Sequence, residues 1–245
     1  MSKRLTLDKK EHYYAKKQKT MPRHIQERKK VVKFNSGLGP VVRPLSNFYA
    51  CTITLDTKDI PEKIQKHFLI LQNIQPGAYT FASTEHLWQA LKARTVDCWS
   101  RFLVGGIWGG FLDQYPFDQD SASQRPKDQT FGYWKKKNCV GVIAKMAVNL
   151  ARVKRHGWQN LLNLTHERLE EQMEEQVWLW ILRMKFLQEG LPQQTLKNTG
   201  DSYLLELERM ANQKTHWGGK VDEDGLIIGD NVMGKYLMKI REELY

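Results

Sequence analysis

Apolar and β-branched residues cluster in short runs along the first third of the chain, a pattern that is typical of strands. NFYACTITL (residues 47–55) is the clearest of these runs, HFLIL (residues 67–71) is a second, and PGAYTFA (residues 76–82) brings a turn and a third. Another apolar run, much later in the chain, ends at Glu206. The pattern predicts several short strands.

Longer segments carry their apolar residues at a helical period. YTFASTEHLWQALKAR (residues 79–94) contains the first predicted helix, with Ser83 or Thr84 as the N-cap and Glu85 in the first turn, where the helix dipole favours an anion. Further helices are predicted at residues 135–152, at residues 165–189 and from Asn231 to residue 245. Because strands and helices do not alternate as βαβ units, we predict an α+β fold, a helix-rich single domain with a small, mainly antiparallel sheet.

Basic residues are concentrated at the start of the chain. The net charge is +11, and the first 33 residues contain twelve Lys and Arg against three Asp and Glu, which leaves +9 there and +2 for the rest. Such a segment attracts phosphates without reading base sequence, or it serves as a solubilising tail. We predict a flexible basic arm over residues 1–34, with nucleic acid as its candidate partner, and a domain over residues 35–245 with an insertion around residues 113–165.

Several classes of protein are disfavoured by the remaining signals. Cys51, Cys98 and Cys139 are isolated from one another, so neither a disulfide framework nor a zinc site is indicated, and buried thiols are expected. We expect no metal and no other cofactor. The apolar runs are too short to span a membrane, and no basic start is followed by an apolar segment. The expected location is the cytoplasm, without membrane contact.

Polar residues recur along one side of the otherwise apolar helix in residues 79–94. Successive helical residues turn by about 100°, so Glu85, Gln89 and Lys92 lie on one face within two turns. Such a row can face water, where helical pairs of this kind are common, or it can line a pocket. Periodicity alone favours the solvated face.

Five groups of residues, taken in order, resemble the NADAR superfamily, also called the YbiA-like family. They are LSNFYA at residues 45–50, STEHLWQALKA at 83–93, MKFLQ at 184–188 with NTGD at 198–201, HWGG at 216–219, and GDNVMGKYLMKIR at 229–241. The resemblance covers residues 45–241, apart from the region at 113–130. It implies a helix-rich α+β fold and N-glycosidase activity, either on phosphoribosyl aminopyrimidine intermediates of the riboflavin pathway or on ADP-ribose joined to guanine.

The implied N-glycosidase chemistry suggests a role for each residue of the polar row. Breaking the C–N bond at ribose C1′ builds positive charge on the sugar, so a fixed carboxylate can stabilise that charge or activate water. Glu85 matches the family's glutamate and is the expected catalytic residue. Lys92 matches the family's lysine, and it would trap C1′ as a Schiff base or bind phosphate. Gln89 would orient either group.

The resemblance also implies substrate-binding residues. Asn47 lies in LSNFYA, although an asparagine before a strand is also a common turn former. Trp217 suits the stacking of a base as well as core packing, and Arg241 suits phosphate binding as well as the end of a helix dipole. The full set of expected binding residues is Asn47, Phe48, His86, Gln89, Trp217, Gly218, Asn231 and Arg241.

Two positions depart from the family pattern. Lys214 stands where family members usually have an aspartate, three residues before the tryptophan that corresponds to Trp217. A tryptophan expected near Glu170 is absent, and Trp158, Trp178 or Trp180 could replace it only through a shift. Lys214 and the basic arm favour a polyanionic substrate, so the favoured function is removal of ADP-ribose from guanine in nucleic acid. The alternatives are the riboflavin-pathway substrates and a catalytically silent module that binds ADP-ribose or a nucleotide.

Overall fold

The computed structural model describes residues 30–110, 135–163, 169–208, 216–223 and 227–245. Within these ranges the α-helices are α1 (Glu62–His67), α2 (Leu69–Asn73), α3 (Thr84–Ala90), α4 (Val96–Ser100), α5 (Gly141–Arg152), α6 (Glu171–Phe186), α7 (Leu191–Lys197) and α8 (Val232–Glu242). The strands are β1 (Val31–Phe34), β2 (Ile53–Asp56), β3 (Ala78–Phe81), β4 (Tyr203–Glu206), β5 (Lys220–Val221) and β6 (Ile227–Ile228). Short 3₁₀ helices occupy Arg43–Leu45, Thr57–Asp59 and Arg155–Asn160.

The strands pair two by two. β2 is antiparallel to β3, and β5 is antiparallel to β6, whereas β1 and β4 run parallel with Val31 opposite Tyr203 and Phe34 opposite Glu206. These elements confirm the helix-rich α+β fold with mainly antiparallel pairing. Within the described ranges the strands form three separate pairs in place of one sheet. The β1 and β4 segments are far apart in sequence, so no hairpin imposes an antiparallel direction on them.

Strand β1 corrects the predicted boundary of the basic arm. The arm was expected to reach residue 34, but Val31–Phe34 pairs with β4 and Phe34 is fully buried. Lys33 is exposed between its apolar neighbours, so a charge that suggested an arm lies on the outer face of a strand. Residues 1–29, which contain the rest of the predicted arm, lie outside the described residues.

The prediction of a strand at HFLIL is wrong. Helix α1 ends at His67 and α2 begins at Leu69, with Phe68 between them. Ile64, Phe68 and Leu71 are buried at helical spacing, whereas Leu69 is 65% exposed. A short apolar run does not by itself distinguish strand from helix, and here the apolar position one turn earlier decides for the helix.

Helix α5 lies in the core, although it falls within the region predicted as an insertion at residues 113–165. Its buried residues include Ile143, Ala147 and Ala151, and the helix packs against α3. Small residues allow this close approach, because helices with few bulky side chains at the contact can pack at short interaxial distances. Residues 111–134 and 164–168 of the same region lie outside the described residues.

The core is built where α3 contacts α5 and α6, and where α6 contacts α8. Helix α6 begins at Glu171 and ends at Phe186, inside the predicted 165–189, and its C-terminal half is buried as expected. Its acidic half departs from the expected solvation at Glu174, which is only 6% exposed. The predicted C-terminal helix is confirmed as α8, with Asn231 as its N-cap residue.

The structure describes all three cysteines and the length and polarity of the helices. Cys98 and Cys139 are buried and Cys51 is half-buried, and none of the three forms a disulfide bond within the described residues. No group of three or more His, Cys, Asp or Glu side chains suited to a metal ion occurs among the described residues. Within the same ranges, every helix is too short or too polar to cross a membrane.

Candidate active site

The site starts at the N-terminus of α3, which two neighbouring segments hold in place. The hydroxyl of Ser83 accepts a hydrogen bond from the His86 backbone N–H at 3.3 Å, as the predicted N-cap requires. The carbonyl of Asn47 accepts bonds from Thr84 Oγ1 at 3.2 Å and from the Glu85 N–H at 3.3 Å. The first turn, and with it the Glu85 side chain, is therefore anchored to the LSNFYA segment.

A buried lysine restrains the LSNFYA segment. Lys185 is fully buried, and its Nζ donates to the Ser46 carbonyl at 2.7 Å while lying over the rings of Tyr49 and Phe186. Burial lowers the pKa of Lys185 to about 8. Because Asn47 follows Ser46 directly, this bond restrains the residue on which α3 begins.

The predicted polar row is buried and joined end to end by hydrogen bonds. Gln89 Nε2 donates to Glu85 Oε1 at 2.6 Å, and Lys92 Nζ donates to Gln89 Oε1 at 2.8 Å. The three residues are 4%, 0% and 9% exposed in that order from Glu85 to Lys92. A solvated helix face is thus excluded for this row. Each donor meets an acceptor when Glu85 is a carboxylate and Lys92 an ammonium.

Three tryptophans extend from this row to the C-terminal part of the chain. Lys92 Nζ lies 5.2 Å from the centroid of the Trp88 ring, and Trp88 packs on Trp178 with 4.9 Å between ring centroids. Trp178 in turn meets Trp217 edge to face at 5.5 Å. Among the tryptophans considered as replacements for the family's upstream tryptophan, Trp178 contacts Trp217, whereas Trp158 packs on Trp108.

Helix α5 closes one side of the row. Gly141 N–H donates to the Phe48 carbonyl at 3.0 Å, and a Cβ on Gly141 would lie 3.1 Å from the Glu85 Cβ. Only a residue without a side chain fits this contact. Lys145 follows one turn later on the same face of α5, which brings its half-buried side chain towards the row.

The end of β4 brings a second carboxyl group that the sequence did not reveal. Burial first, and then the charges of Glu208 and Glu85, raise the pKa of the Glu206 carboxyl to about 8, and Lys145 acts in the opposite direction. The available signal in the sequence was weak, a glutamate that ends the apolar run YLLE.

The predicted binding residue His86 lies in the interior beneath the N-cap. Its ring is fully buried, Nδ1 lies 2.8 Å from Ser83 Oγ, and the ring packs beside Gly110. Burial lowers the pKa of His86 to about 3, so the ring is neutral at ordinary pH. Substrate binding by His86 stays a prediction.

Asn231 supports β4. It has φ 46° and ψ 43°, a left-handed conformation that asparagine tolerates better than most residues, and it is 1% exposed. Its Oδ1 accepts from the Glu206 N–H at 3.0 Å, and its Nδ2 donates to the Leu204 carbonyl at 2.8 Å and to the Tyr203 hydroxyl at 3.0 Å. These bonds give Asn231 a structural role, and its predicted binding role stays a prediction.

Arg241 is likewise committed to the fold. The residue is 8% exposed, and Nη1 donates to Thr199 Oγ1 at 2.8 Å and to the Ser202 carbonyl at 2.9 Å. It joins α8 to the turn between α7 and β4. Its predicted contact with a phosphate stays a prediction.

The remaining predicted binding residues lie near the row with atoms available. The Asn47 side chain is 8% exposed, and its Oδ1 is buried without a hydrogen-bond partner within the described part of the chain. Phe48 and Trp217 are half-buried. Gly218 lies against β4, where a Cβ would come 2.5 Å from the Glu206 carbonyl oxygen, so this position requires glycine. Lys214 lies outside the described residues.

Comparisons with known proteins give a distant likeness of fold. No family model matches the chain, and no curated protein matches it. Among solved structures, the NMR structure of the E. coli protein YbiA is similar, with 19% sequence identity over 88% of this chain and 85% of that chain, and a TM-score of 0.41. At this distance the likeness transfers neither an activity nor a residue role, and the function is argued from the site.

Proposed function

We propose that this protein is an N-glycosidase that hydrolyses the C–N bond between ribose C1′ and a base-like leaving group. The observation that carries the proposal is the buried hydrogen-bonded row of Glu85 and Gln89 on α3 and Lys92 in the turn that follows the helix. A carboxylate and an ammonium are costly to bury, so a helix that holds both nearly out of water is more readily explained by chemistry than by stability.

Glu85 is the proposed catalytic carboxylate. As the C–N bond breaks, positive charge develops at C1′ and the ring oxygen, and a fixed anion in a site shielded from water stabilises it more strongly than a solvated one would. The same carboxylate can accept a proton from the attacking water. Gln89 holds one of its oxygens, which leaves the other for the sugar or the water.

Lys92 is the proposed electrostatic partner of the Glu85 carboxylate. We prefer this role for Lys92 to that of a nucleophile that forms a Schiff base. Its Nζ donates to Gln89 and lies over the Trp88 ring, and both contacts favour the charged amine. A Schiff base needs the neutral form. By occupying Gln89 Oε1, Lys92 also fixes the amide orientation that points Nε2 at Glu85.

The proposed binding site for the base and the sugar lies between LSNFYA and Trp217. The unpartnered Asn47 Oδ1 supports this location, since a buried acceptor without a donor is unusual and a ribose hydroxyl or base amine can supply one. The half-buried ring of Trp217 is suited to stacking on a base.

The proposed substrate is ADP-ribose attached to guanine in nucleic acid. The support is the charge of the first 33 residues, which is +9, because a nucleic acid strand offers many phosphates to such a segment. Phosphoribosyl aminopyrimidines, which carry a single phosphate ester, are the second substrate class.

Incubation with both substrates tests the proposal. The protein is mixed with an oligonucleotide that carries ADP-ribosyl guanine and, separately, with a phosphoribosyl aminopyrimidine, and the released sugar is measured by mass spectrometry. We expect release from the oligonucleotide, and a loss of at least about 100-fold in kcat for Glu85→Gln with little change in substrate Kd. Glu62→Gln, at an exposed glutamate of α1, is the matched control. Release from neither substrate overturns the enzyme proposal, and tight binding without release identifies a binding module.

A comparison of two lysine variants tests the role of Lys92. Lys92→Arg keeps the charge and removes the amine that forms a Schiff base, whereas Lys92→Met removes both. We expect partial activity in the first variant, a much larger loss in the second, and no sugar trapped on the wild-type protein by borohydride during turnover. Trapped sugar that disappears in Lys92→Arg would assign the nucleophile to Lys92.

A further inference from the structure

Two consecutive residues, His216 and Trp217, dock together on one face of α6. His216 Nε2 lies 2.6 Å from Glu174 Oε1, and the Trp217 ring meets the Trp178 ring edge to face with 5.5 Å between centroids. Glu174 and Trp178 are buried and lie one turn apart on the helix, so they share a face. The imidazole and the indole are therefore held by separate contacts to a single core helix.

The start of α8 fixes the backbone of the same two residues. The His216 carbonyl accepts from the Val232 N–H at 3.2 Å, and the Trp217 carbonyl accepts from the Met233 N–H at 3.0 Å. Asp230 precedes these two donors in the chain, and its Oδ2 lies 3.7 Å from His216 Nδ1. The fold thus brings an indole, an imidazole and a carboxylate to one place.

The imidazole and the Asp230 carboxylate offer a donor and an acceptor side by side. Carboxylates face both ring nitrogens of His216, Glu174 at Nε2 and Asp230 at Nδ1, which favours the imidazolium with a proton on each nitrogen. The distance of 3.7 Å from Nδ1 to Asp230 Oδ2 is too long for a hydrogen bond, so both atoms can bond a third group. The His216 side chain is 46% exposed and that of Asp230 is 63% exposed, so a ligand can reach them.

A flat ring stacked on Trp217 would present its edge to this pair. The His216 ring stands at 75° to the indole, with 4.9 Å between centroids, and Trp217 is half-buried. The adjoining Trp178 is 2% exposed, and its Nε1 has no hydrogen-bond partner in the described part of the chain. A buried indole N–H usually has an acceptor, so the ring cluster holds a donor that the described residues leave to another molecule. Stacking on an aromatic ring with hydrogen bonds at the edge is how proteins bind a single base.

We propose that His216 and Asp230 recognise the substrate base by a guanine-type edge, in which a ring carbonyl stands beside a ring N–H and an amino group. This role rests on the proposed N-glycosidase function, because it concerns the base that leaves. His216 donates to the carbonyl, and the Asp230 carboxylate accepts from the N–H and the amine, a match of two acceptors to two donors. Guanine and 2-amino-4-oxopyrimidines share this edge, whereas hypoxanthine lacks the amine and adenine lacks the carbonyl.

Mononucleotide binding tests this role on the full chain. Guanosine, inosine and adenosine 5′-monophosphates are titrated calorimetrically into the wild type, Asp230→Asn and His216→Gln. We expect the wild type to bind the guanosine nucleotide at least about 10-fold more tightly than the other two. Asp230→Asn should remove most of the preference over the inosine nucleotide, since an amide offers one acceptor in place of two. His216→Gln should weaken the two nucleotides that carry the carbonyl and leave the adenosine nucleotide unchanged.

An exposed aspartate provides the matched control. Asp59→Asn should keep the wild-type order of affinities, and thermal unfolding shows whether each variant folds. The order of affinities in the wild type is itself a test that needs no variant. Binding of none of the three nucleotides, equal affinities, or a guanosine preference that survives at both positions overturns the recognition role.

Sugar release separates this role from the proposed function. If release depends on Glu85 while the nucleotides bind equally, the enzyme proposal stands and recognition by His216 and Asp230 is overturned. If the guanosine preference depends on Asp230 and neither substrate class loses its sugar, base recognition is supported and the enzyme proposal fails.

Discussion

Gln89 Nε2 donates to Glu85 Oε1 at 2.6 Å inside a helix where neither residue is more than 4% exposed. One turn of α3 separates the two residues, so the helix brings them together. The bond adds to the restraint that Asn47 places on the Glu85 backbone. The neutral amide lies between the two charged groups. Its Oε1 accepts from Lys92, and this orients its Nε2 towards Glu85.

Gln89→Met should break this row while preserving the volume of the side chain. Glu85 and Lys92 would each lose a hydrogen bond in a buried environment, so we expect the free energy of unfolding to fall by about 2–4 kcal/mol. Urea unfolding measures the change. Gln72→Met, at an exposed glutamine of α2, is the matched control and should change it by less than about 1 kcal/mol. Equal effects of the two substitutions would contradict a buried, coupled row.

Gly141→Ala should force α5 away from α3. A Cβ there would lie 2.7 Å from Ser83 Oγ and 2.8 Å from the Phe48 Cα, and backbone has no room to yield. Although alanine favours a helix by about 1 kcal/mol, we expect a net destabilisation of about 1–3 kcal/mol and a loss of activity. Gly39→Ala is the control, since no heavy atom lies within 4 Å of a Cβ at that position. Thermal unfolding that ranks Gly141→Ala with Gly39→Ala would show that this contact is not tight.

Substitution of Asn231 should lower the free energy of unfolding. We expect the wild type to be the most stable, Asn231→Gly less stable and Asn231→Ala the least stable. Both variants leave the Glu206 N–H and the Leu204 carbonyl without their partner, at a cost of about 2–4 kcal/mol. The left-handed conformation costs alanine about 1–2 kcal/mol more than it costs glycine. Chemical denaturation gives the order directly. A variant that keeps wild-type stability and loses only ligand affinity would return Asn231 to the set of binding residues.

The pair of His216 and Glu174 should make stability depend on pH. Their Nε2 and Oε1 atoms are 2.6 Å apart, and this hydrogen bond is the main reason that the pKa of His216 is raised above its ordinary 6.5. The stabilisation is therefore fully present below pH 6.5 and is lost as pH rises through the raised pKa of the folded state. His216 is nearly half exposed, so we expect a contribution below about 1 kcal/mol.

Thermal unfolding of the wild type and His216→Gln between pH 5.5 and pH 8.5, in about half-unit steps, measures this contribution. The difference in Tm between the two proteins should shrink as pH rises. Gln72→Met, which changes no titratable group at an exposed position of α2, should show no such trend. A difference that grows with pH would mean that Glu174 holds neutral His216 better than the cation.

Local sequence predicted what a single element determines. The cap at Ser83 and the spacing of Glu85 and Gln89 depend on α3 alone, so the periodicity located them correctly. Lys92 falls in the turn after α3, where its carbonyl accepts from the Asn163 N–H. The strand prediction at HFLIL failed because its apolar residues satisfy both periods over five positions.

Long-range packing determined what the sequence did not predict. Glu206 lies opposite Phe34 only because β4 pairs with β1, and no spacing along the chain encodes that pairing. Asn231 and Arg241 were expected to hold ligand, but the partners they use, Leu204 and Thr199, lie about 30 to 40 residues away. A polar residue in a glycine-rich segment serves a ligand or a turn, and its partners decide between the two.

The hydrogen-bonded pair of Glu85 and Gln89 occupies one turn of α3, and this has a consequence for how the site could vary. The helix sets the spacing of this pair, whereas Lys92 lies in the turn after α3, where its carbonyl accepts from the Asn163 N–H at 2.6 Å. Phe48 and Trp217, the half-buried aromatic residues nearby, come from separate parts of the chain. Replacement of those parts could alter what surrounds Glu85 and Gln89, while the pair itself stays unaltered on α3.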